Sequence, residues 1–317
     1  MAIYLSRQAG LEVRLWCFLE AEAKAIRETG FAPNLPQFST QGKVIPFTDP
    51  VQALAGVDLV VISTPVPFLR NLLQTLPPLP PGCVVLSINK GIEREQLQTV
   101  PEILAEYLPQ HPLAHLGGPC FPEGLLSEVS PAAETLACTD LELGRALQHL
   151  FAGPGFRVYL SNQLRGVALL GALKNIYAIL AGIGDGQGMT EEALAVLITR
   201  ALAEMRRFCE KLEIPLETLY GLSGLGDLVL TCYSPGSSHN KNLGRRLGQG
   251  ETIENILGSM SGQIAEGYYT TKAAWELAQK LGLEMPLCKA AYGLLYEGHS
   301  IQEALGALMD RPLKQED

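Results

Sequence analysis

The chain has 317 residues, 47% of them hydrophobic and 18% charged, which is enough to bury the cores of two domains. Its formal net charge of −9 argues against a general role in binding nucleic acid or a membrane surface, because both favour basic patches. The seven cysteines are odd in number and form no C-x-x-C pair, so they predict reduced thiols rather than a disulfide framework or a structural metal site.

The beginning of the sequence lacks the long apolar core of a signal peptide. No stretch of about 20 apolar residues is free of charge, so we expect no membrane span. Together with the reduced thiols, this pattern predicts a cytoplasmic protein.

The first half alternates short apolar runs with helical patterns. Val13–Trp16 predicts a strand, and the apolar runs at 58–63 and 83–88 predict two buried strands. The segment 67–76 between the last two is helix-like. Strands that alternate with helices predict an α/β domain with a parallel sheet.

In the second half, from about Gln163, apolar residues recur at spacings of three and four, which predicts helices. The predicted helices span 163–181, 191–212, 252–259, 270–281, 287–297 and 301–308. We therefore divide the chain into an α/β domain over 1–160 and an all-helical domain over 161–317.

The front of the chain lacks a feature of dinucleotide-binding sheets, which open with a strand, a G-x-G-x-x-G turn and a helix. Residues 1–7 have the pattern of the end of that helix, and the glycine series at 182–188 follows a predicted helix rather than a strand. Without a central first strand, the neighbouring strands would have unpaired edges. We expect a start codon assigned too late or a fragment; a genuinely shortened protein is the alternative.

A lysine and an aspartate form a candidate proton-transfer pair. Lys174 lies in a long apolar run, and charged side chains are rarely buried without a partner. Asp227 follows a glycine-rich turn at 221–226. A desolvated lysine with a carboxylate in reach can transfer protons near neutral pH. The alternatives are a lysine that reaches solvent and an aspartate that serves only as a turn or N-cap residue.

Several short segments along the chain carry a family resemblance. They include Asn89-Lys-Gly-Ile92, Gly118-Pro-Cys-Phe121, Gly171-Ala-Leu-Lys-Asn175, Gly224-Leu-Gly-Asp227 and Ala265-Glu-Gly267. From about Ala2 to Lys314 the chain resembles bacterial-type NAD(P)-dependent glycerol-3-phosphate dehydrogenase. The resemblance implies a Rossmann-like N-terminal domain, a helical C-terminal domain and NAD or NADP as cofactor. It also implies interconversion of dihydroxyacetone phosphate and sn-glycerol 3-phosphate for glycerophospholipid synthesis.

The same resemblance implies roles for individual residues. Lys174 corresponds to the proton acceptor, and Lys90 to a lysine shared by substrate and cofactor. Asp227 corresponds to a residue that contacts the substrate or orients Lys174. Gly118 and Cys120 lie where the family has Gly-Pro-Ser contacts to substrate; Cys120 is a poorer hydrogen-bonding group than serine, and its alternative role is a small core residue.

A further substrate-binding segment is Ser238-His-Asn240, which resembles the family's Ser-Arg-Asn if one residue is inserted after Asp227. Hydroxyl, amide and helix N-terminal N–H groups suit a phosphate. His239 replaces the arginine, which also contacts the cofactor, and histidine lacks the permanent bidentate charge of a guanidinium. Candidate substitutes for that charge are Lys241, Arg245 and Arg246. In the alternative alignment without the insertion, Ser237 takes the role of the serine and Ser238 replaces the arginine.

Three more positions correspond to cofactor contacts: Pro122, Ile264 and Glu266. Pro122 replaces the usual alanine and removes a backbone N–H. Phe18 falls near the place of a basic residue that often contacts the adenosine phosphate, so the preference between NADH and NADPH stays open. We expect no bound metal.

Two other functions are alternatives to the enzyme. One is a non-catalytic homologue that binds a glycerol phosphate or a protein partner but no dinucleotide. The other is a hydride transferase acting on another small hydroxy acid, which the motifs around Lys174 and Asp227 disfavour. The expected partner is a small-molecule glycerol phosphate, and the apolar helical half is compatible with a homodimer.

Overall fold

A computed structural model describes residues 1–33, 35–127, 129–234, 236, 238–260, 265–313 and 315. Strands and helices alternate in its first half. The strands are β1 (Val13–Trp16), β2 (Val44–Phe47), β3 (Leu59–Ile62), β4 (Val84–Ser87), β5 (Leu113–Gly117), β6 (Ala132–Cys138) and β7 (Phe156–Ser161). The helices among them are α1 (Ala2–Leu5), α2 (Glu20–Thr29), α3 (Pro50–Leu54), α4 (Val66–Thr75), α5 (Val100–Tyr107), α6 (Pro122–Leu126) and α7 (Leu141–Phe151).

The described part of the second half is helical. Its elements are α8 (Leu164–Gly186), α9 (Glu191–Lys211), α10 (Leu216–Tyr220), a π-helix (Leu222–Gly226), α11 (Asp227–Tyr233), α12 (His239–Gly248), α13 (Ile253–Ser259), α14 (Glu266–Leu281), α15 (Pro286–Tyr296) and α16 (Ile301–Met309). The last strand ends at Ser161 and α8 begins at Leu164, close to the domain division drawn from the sequence.

The strands form two sheets. In one, β1 pairs with β2 in parallel; in the other, the order is β3-β4-β5-β6-β7. All pairs are parallel except β5 with β6, an antiparallel step that the sequence pattern did not predict. The arrangement is Rossmann-like, with helices between consecutive parallel strands.

The two sheets are not hydrogen-bonded to each other, which agrees with the expectation that strands beside the missing position have unpaired edges. Among the described residues, β1 pairs with β2 alone and β3 with β4 alone. The strand predicted at 58–63 is present as β3, but the prediction that it is buried is only partly right. Leu59 to Val61 are half-buried, and Ile62 alone is buried. An edge strand lacks the neighbour whose side chains would cover it.

The core of the helical half is built around α8. This helix is apolar on all sides and packs against α9, α11, α12, α14 and α15. It is long and apolar enough to cross a membrane, but 94% of its apolar window is buried inside the fold, as expected for a central helix of a globular protein. Its burial is what removes Lys174 from water.

The helices α8 and α12 touch backbone to backbone. A Cβ atom placed on Gly182 would overlap the carbonyl oxygen of Lys241, and one on Gly244 would overlap that of Ile179. Gly186 and Gly248 continue the same seam. The glycine series at 182–188 is therefore largely a helix-packing feature, which agrees with the conclusion that it is not a displaced phosphate-binding turn.

Most predicted helices agree with the structure to within a few residues, but three features differ. The helix predicted at 270–281 begins at Glu266 instead. The helices α10, α11 and α12 were not predicted as elements, and the segment before Asp227 is a π-helix rather than a simple turn. Glycines at 221, 224 and 226 favour a turn by local pattern, and tertiary packing decides otherwise.

Candidate active site

The site is built around Lys174, which lies in the middle of α8 and is only 4% exposed. Its Nζ atom lies 3.0 Å from Oδ1 of Asp227 and donates a hydrogen bond to Oγ1 of Thr231 at 2.5 Å. The Thr231 hydroxyl in turn donates to the Asp227 carbonyl at 2.7 Å. The lysine is therefore buried with a carboxylate and a hydroxyl as partners, and it does not reach out to solvent.

Asp227 holds two lysines at once. It is 1% exposed and begins α11 directly after the π-helix. Its Oδ2 atom accepts a hydrogen bond from Lys90 Nζ at 2.5 Å, while Oδ1 faces Lys174. The turn and N-cap alternative for Asp227 does not match this geometry, because both carboxylate oxygens contact lysines from other elements.

Lys90 reaches the cluster from the end of β4. In addition to Asp227, its Nζ donates to the carbonyl oxygen of Gly118 at 2.9 Å. The Lys90 carbonyl accepts from Asn175 Nδ2 at 3.1 Å, which ties this loop to the helix that carries Lys174. The carboxyl ends of strands in open α/β sheets are where ligands bind.

The charges in this cluster shift one another's proton affinities. Burial lowers the pKa of Lys174 to about 8, against the opposing effect of Asp227. Burial alone would lower the pKa of Lys90 as well, but the Asp227 and Glu134 carboxylates raise it above its ordinary value. Burial opposes ionisation of Asp227, yet the two lysines hold its pKa below the usual range. Lys174 is thus the lysine suited to exchange a proton near neutral pH.

Cys120 and Pro122 lie on the segment after Gly118. The Cys120 thiol is half-buried and donates a weak hydrogen bond to the Phe121 carbonyl, with an Sγ–O distance of 3.5 Å. Burial and the Glu134 carboxylate raise its pKa to about 12, so it stays a neutral thiol. Pro122 is the first residue of α6, a position where its missing N–H is not needed for helix hydrogen bonds.

Ser238, His239 and Asn240 form the start of α12. Ser238 is its N-cap, and its hydroxyl accepts from the Lys241 backbone N–H at 3.2 Å. His239 is exposed. Asn240 Oδ1 accepts from the Gly267 backbone N–H at 2.8 Å, so this amide oxygen is engaged in joining α12 to α14. The start of α12 leaves backbone N–H groups and the His239 ring for an anion.

The proposed replacements for the family arginine have other partners. Lys241 is buried, with Nζ 2.8 Å from the Asp185 carboxylate. Arg246 pairs with Glu251 at 2.6 Å and donates to Ser259 Oγ. The expectation that Lys241 or Arg246 takes over the charge of the arginine is therefore wrong for these two residues in this arrangement. Ser237, the serine of the alternative alignment, lies outside the described residues.

Two polar residues near Lys90 are candidates for cofactor contacts: half-buried Glu266 and buried Asn89. Glu266, the first residue of α14, accepts a hydrogen bond from the Val66 N–H at 3.4 Å, and burial raises its pKa to about 6. Asn89 Oδ1 is buried and has no hydrogen-bond partner among the described residues. Acceptors of this kind fit the amide and hydroxyl donors of a nicotinamide nucleoside. Ile264, the other expected late contact, lies outside the described residues.

Sequence reasoning missed three residues of this site. Asn175 ends the recognised motif around Lys174 but was given no role of its own. Thr231 follows Asp227 by four residues, which places these two side chains on one face of α11. Glu134 is a charged residue within the apolar strand β6, which was the available signal. Among the described residues, no group of three or more His, Cys, Asp or Glu side chains is arranged to hold a metal ion.

The fold and this cluster are typical of one class of protein: a dehydrogenase with a Rossmann-like domain and a helical domain that carries a buried lysine. Family models match both halves. The N-terminal model of NAD-dependent glycerol-3-phosphate dehydrogenase matches residues 1–144, and the C-terminal model matches residues 163–306. The chain therefore belongs to the NAD-dependent glycerol-3-phosphate dehydrogenase family.

Individual relatives agree with this assignment. The chain is 42% identical to glycerol-3-phosphate dehydrogenase [NAD(P)+] of Oleidesulfovibrio alaskensis, over 93% of this chain and 90% of the relative. It is 40% identical to the enzyme of the same name from Syntrophotalea carbinolica, over 97% of this chain and 93% of the relative. The crystal structure of glycerol-3-phosphate dehydrogenase from Coxiella burnetii superposes with a TM-score of 0.89 at 30% identity, covering 98% and 95% of the two chains.

The function inferred from the resemblance is thus confirmed at the level of the family: the chain is an oxidoreductase that uses NAD or NADP. The family interconverts sn-glycerol 3-phosphate and dihydroxyacetone phosphate. The non-catalytic alternative is not favoured.

Proposed function

We propose that Lys174 is the proton-transfer residue of this dehydrogenase and that Asp227 and Lys90 position it and the substrate. The observation that carries the proposal is the shared carboxylate of Asp227, which contacts both lysine Nζ atoms in a buried setting. An ammonium group whose pKa is about 8 can give up and regain a proton at physiological pH.

The roles differ with the direction of the reaction. In reduction, the Lys174 ammonium protonates the C2 oxygen of dihydroxyacetone phosphate as negative charge develops there. In oxidation, neutral Lys174 accepts the proton of the C2 hydroxyl of glycerol 3-phosphate. Lys90, which stays charged, stabilises the same oxygen electrostatically.

NAD(P)H, when bound, supplies the hydride for reduction. On the protein side, Lys90 and Glu266 would hold it at the carboxyl end of β4, with the backbone near Pro122 and the segment around Ile264 and His239 as further contacts. Cys120 and Gly118 would line the substrate side of this cleft. Ser238, His239 and Asn240 would bind the phosphate at the start of α12.

We assign residues 1–160 to the cofactor domain and 161–317 to the substrate domain. The substrate is a small glycerol phosphate, the location is the cytoplasm, and a homodimer through the helical half is compatible with its apolar surface. Exposed Val196 and Met309 border an apolar groove between α9 and α16 that a second subunit could cover.

The test is oxidation of NADH and of NADPH followed at 340 nm by the purified protein, with and without dihydroxyacetone phosphate. We expect oxidation that depends on this substrate, and glycerol 3-phosphate as the product. Oxidation that is indifferent to dihydroxyacetone phosphate, or no oxidation with either cofactor, would contradict the proposal. Dihydroxyacetone without the phosphate is the matched control for the phosphate contacts.

A further inference from the structure

A second buried carboxylate lies beside the lysine cluster, and none of the roles above uses it. Glu134 occupies β6, whose other residues are small or apolar apart from Thr135. It is 7% exposed. Placing an ionisable group there costs free energy unless a partner satisfies it, so its presence calls for a function.

Within the described chain, no hydrogen bond or ion pair engages the Glu134 carboxylate. A carboxylate can accept about four hydrogen bonds. The Glu134 oxygens are not among the fully buried unpartnered atoms of the described chain, so they keep some accessible surface. A largely buried acceptor without protein donors is costly, which makes it a place where a ligand donor would bind well.

The surroundings of Glu134 connect it to the substrate side of the site. It packs against Gly118 so closely that a Cβ atom on that glycine would lie 3.3 Å from Glu134 Cγ. The Gly118 carbonyl is the oxygen that accepts from Lys90 Nζ. Burial raises the pKa of Glu134 to about 7, against the effect of Lys90; the charges of Asp227, the Met1 amino group and Lys174 act on it as well.

The substrate has one polar group that the proposed site has not yet matched. Its phosphate is assigned to the start of α12 and its C2 oxygen to Lys174 and Lys90, which leaves the hydroxyl on C1. A hydroxyl donates one hydrogen bond. The Glu134 carboxylate, which packs against the same Gly118 that Lys90 contacts, is an acceptor suited to that hydroxyl.

On the basis of the proposed function, we infer that the Glu134 carboxylate accepts a hydrogen bond from the C1 hydroxyl of dihydroxyacetone phosphate and of glycerol 3-phosphate. Glu134 therefore determines specificity: it selects substrates that carry this hydroxyl. Lys90, Asp227 and Lys174, whose charges act on Glu134, belong to the proposed substrate cluster, which favours this donor over the carboxamide of the nicotinamide.

The experiment compares two substrates in wild-type protein and in variants. Acetol phosphate has a methyl group where dihydroxyacetone phosphate has its hydroxymethyl group, so it lacks the proposed donor. The quantity measured is the ratio of kcat/KM for the two ketones. Wild-type protein should prefer dihydroxyacetone phosphate, and Glu134→Ala should reduce this preference by about 10-fold or more, the usual effect of losing a hydrogen bond to a charged group.

Two further variants make the result specific. Glu134→Gln keeps the shape and one acceptor oxygen, so it should fold even if the alanine variant does not, and its preference should lie between those of wild type and Glu134→Ala. Thr135→Ala changes the next residue of β6, whose side chain points to the opposite face, and should leave the preference unchanged.

The outcomes separate this inference from the proposed function. A wild-type protein that does not reduce dihydroxyacetone phosphate contradicts the proposed function and this inference with it. An active Glu134 variant that keeps the full wild-type preference contradicts the inference alone. So does a variant whose preference is unchanged while its KM for NAD(P)H rises, because that result assigns Glu134 to the cofactor.

Discussion

Lys174 and Asp227 lie in ion-pair contact, with Nζ 3.0 Å from Oδ1, and both side chains are almost completely buried. Burial pushes the lysine toward its neutral form, and the carboxylate pulls it back toward the ammonium. The balance places its proton exchange near neutral pH, where a dehydrogenase working in both directions needs it.

Removal of the lysine amine should abolish most of the catalysis. We expect Lys174→Ala to lower kcat for reduction of dihydroxyacetone phosphate by ~100-fold or more, as for loss of a general acid. Lys280→Ala, which removes an exposed lysine from α14, is the control and should retain wild-type kcat. An unchanged kcat in Lys174→Ala would exclude this residue from the chemistry.

The two directions of the reaction should depend on pH with opposite signs. Reduction requires the protonated form of Lys174, so its kcat/KM should fall as pH rises through about 8. Oxidation requires the neutral amine, so its kcat/KM should rise over the same interval. Steady-state rates between pH 6.5 and 9.5 test this, and two profiles with the same sign would refute the assignment.

The charge of Asp227 should support both the fold and the proton affinity of Lys174. In Asp227→Asn the anion between two buried lysines is lost, and we expect the free energy of unfolding to fall by ~3 kcal/mol or more. The carboxylate also raises the pKa of Lys174, so the midpoint of the reduction profile should move to lower pH. Urea denaturation and the pH profile measure the two effects; Asp310→Asn, an exposed aspartate, should show neither.

Substitution of His239 tests whether this residue contacts the substrate phosphate. Because histidine offers a weaker anion contact than arginine, His239→Arg should lower KM for dihydroxyacetone phosphate by about 10-fold, as expected for one added charge-assisted hydrogen bond, with little change in kcat. Asn242→Arg places the same charge on an exposed position of the same helix and should change KM less. Equal effects of the two substitutions would indicate general electrostatic attraction instead.

Replacement of Glu204 should lower the stability of the fold without changing catalysis. Its buried carboxylate accepts hydrogen bonds from the Leu287 and Cys288 backbone N–H groups, at 2.5 and 3.1 Å, and from the Tyr177 hydroxyl at 3.2 Å. Glu204→Ala leaves these donors buried and unpaired, so we expect a loss of ~3 kcal/mol in the free energy of unfolding. Denaturation should show it, while KM for dihydroxyacetone phosphate stays unchanged at 20 °C; a shifted KM would link α15 to the site.

Much of this site was predictable because its residues occur in unusual local settings. A lysine inside an apolar helix, such as Lys174, needs a partner, and the sequence offered Asp227 after a run of glycines. The alternation of strands and helices likewise predicted an α/β domain with a parallel sheet. These inferences depend on local pattern, which physical chemistry constrains strongly.

The rest depended on tertiary contacts that no local pattern encodes. Nothing in the sequence indicates that β6 runs antiparallel to β5, and that pairing is what places Glu134 against Gly118. Similarly, Lys241 seemed available for a phosphate until the fold placed Asp185 2.8 Å from its Nζ. Whether a charged group is free is decided by neighbours distant in sequence.

The glycine seam between α8 and α12 has a consequence for the length of substrate that the enzyme accepts. One helix carries Lys174, and the other begins with the residues that we propose bind the phosphate. On that proposal, the spacing of the seam sets the distance between the proton-transfer lysine and the phosphate. A methyl group at Gly182 or Gly244 would push the helices apart. On the proposed assignment, glycine at these positions keeps the lysine and the phosphate site at one fixed separation, which limits the length of the ligand that can span them.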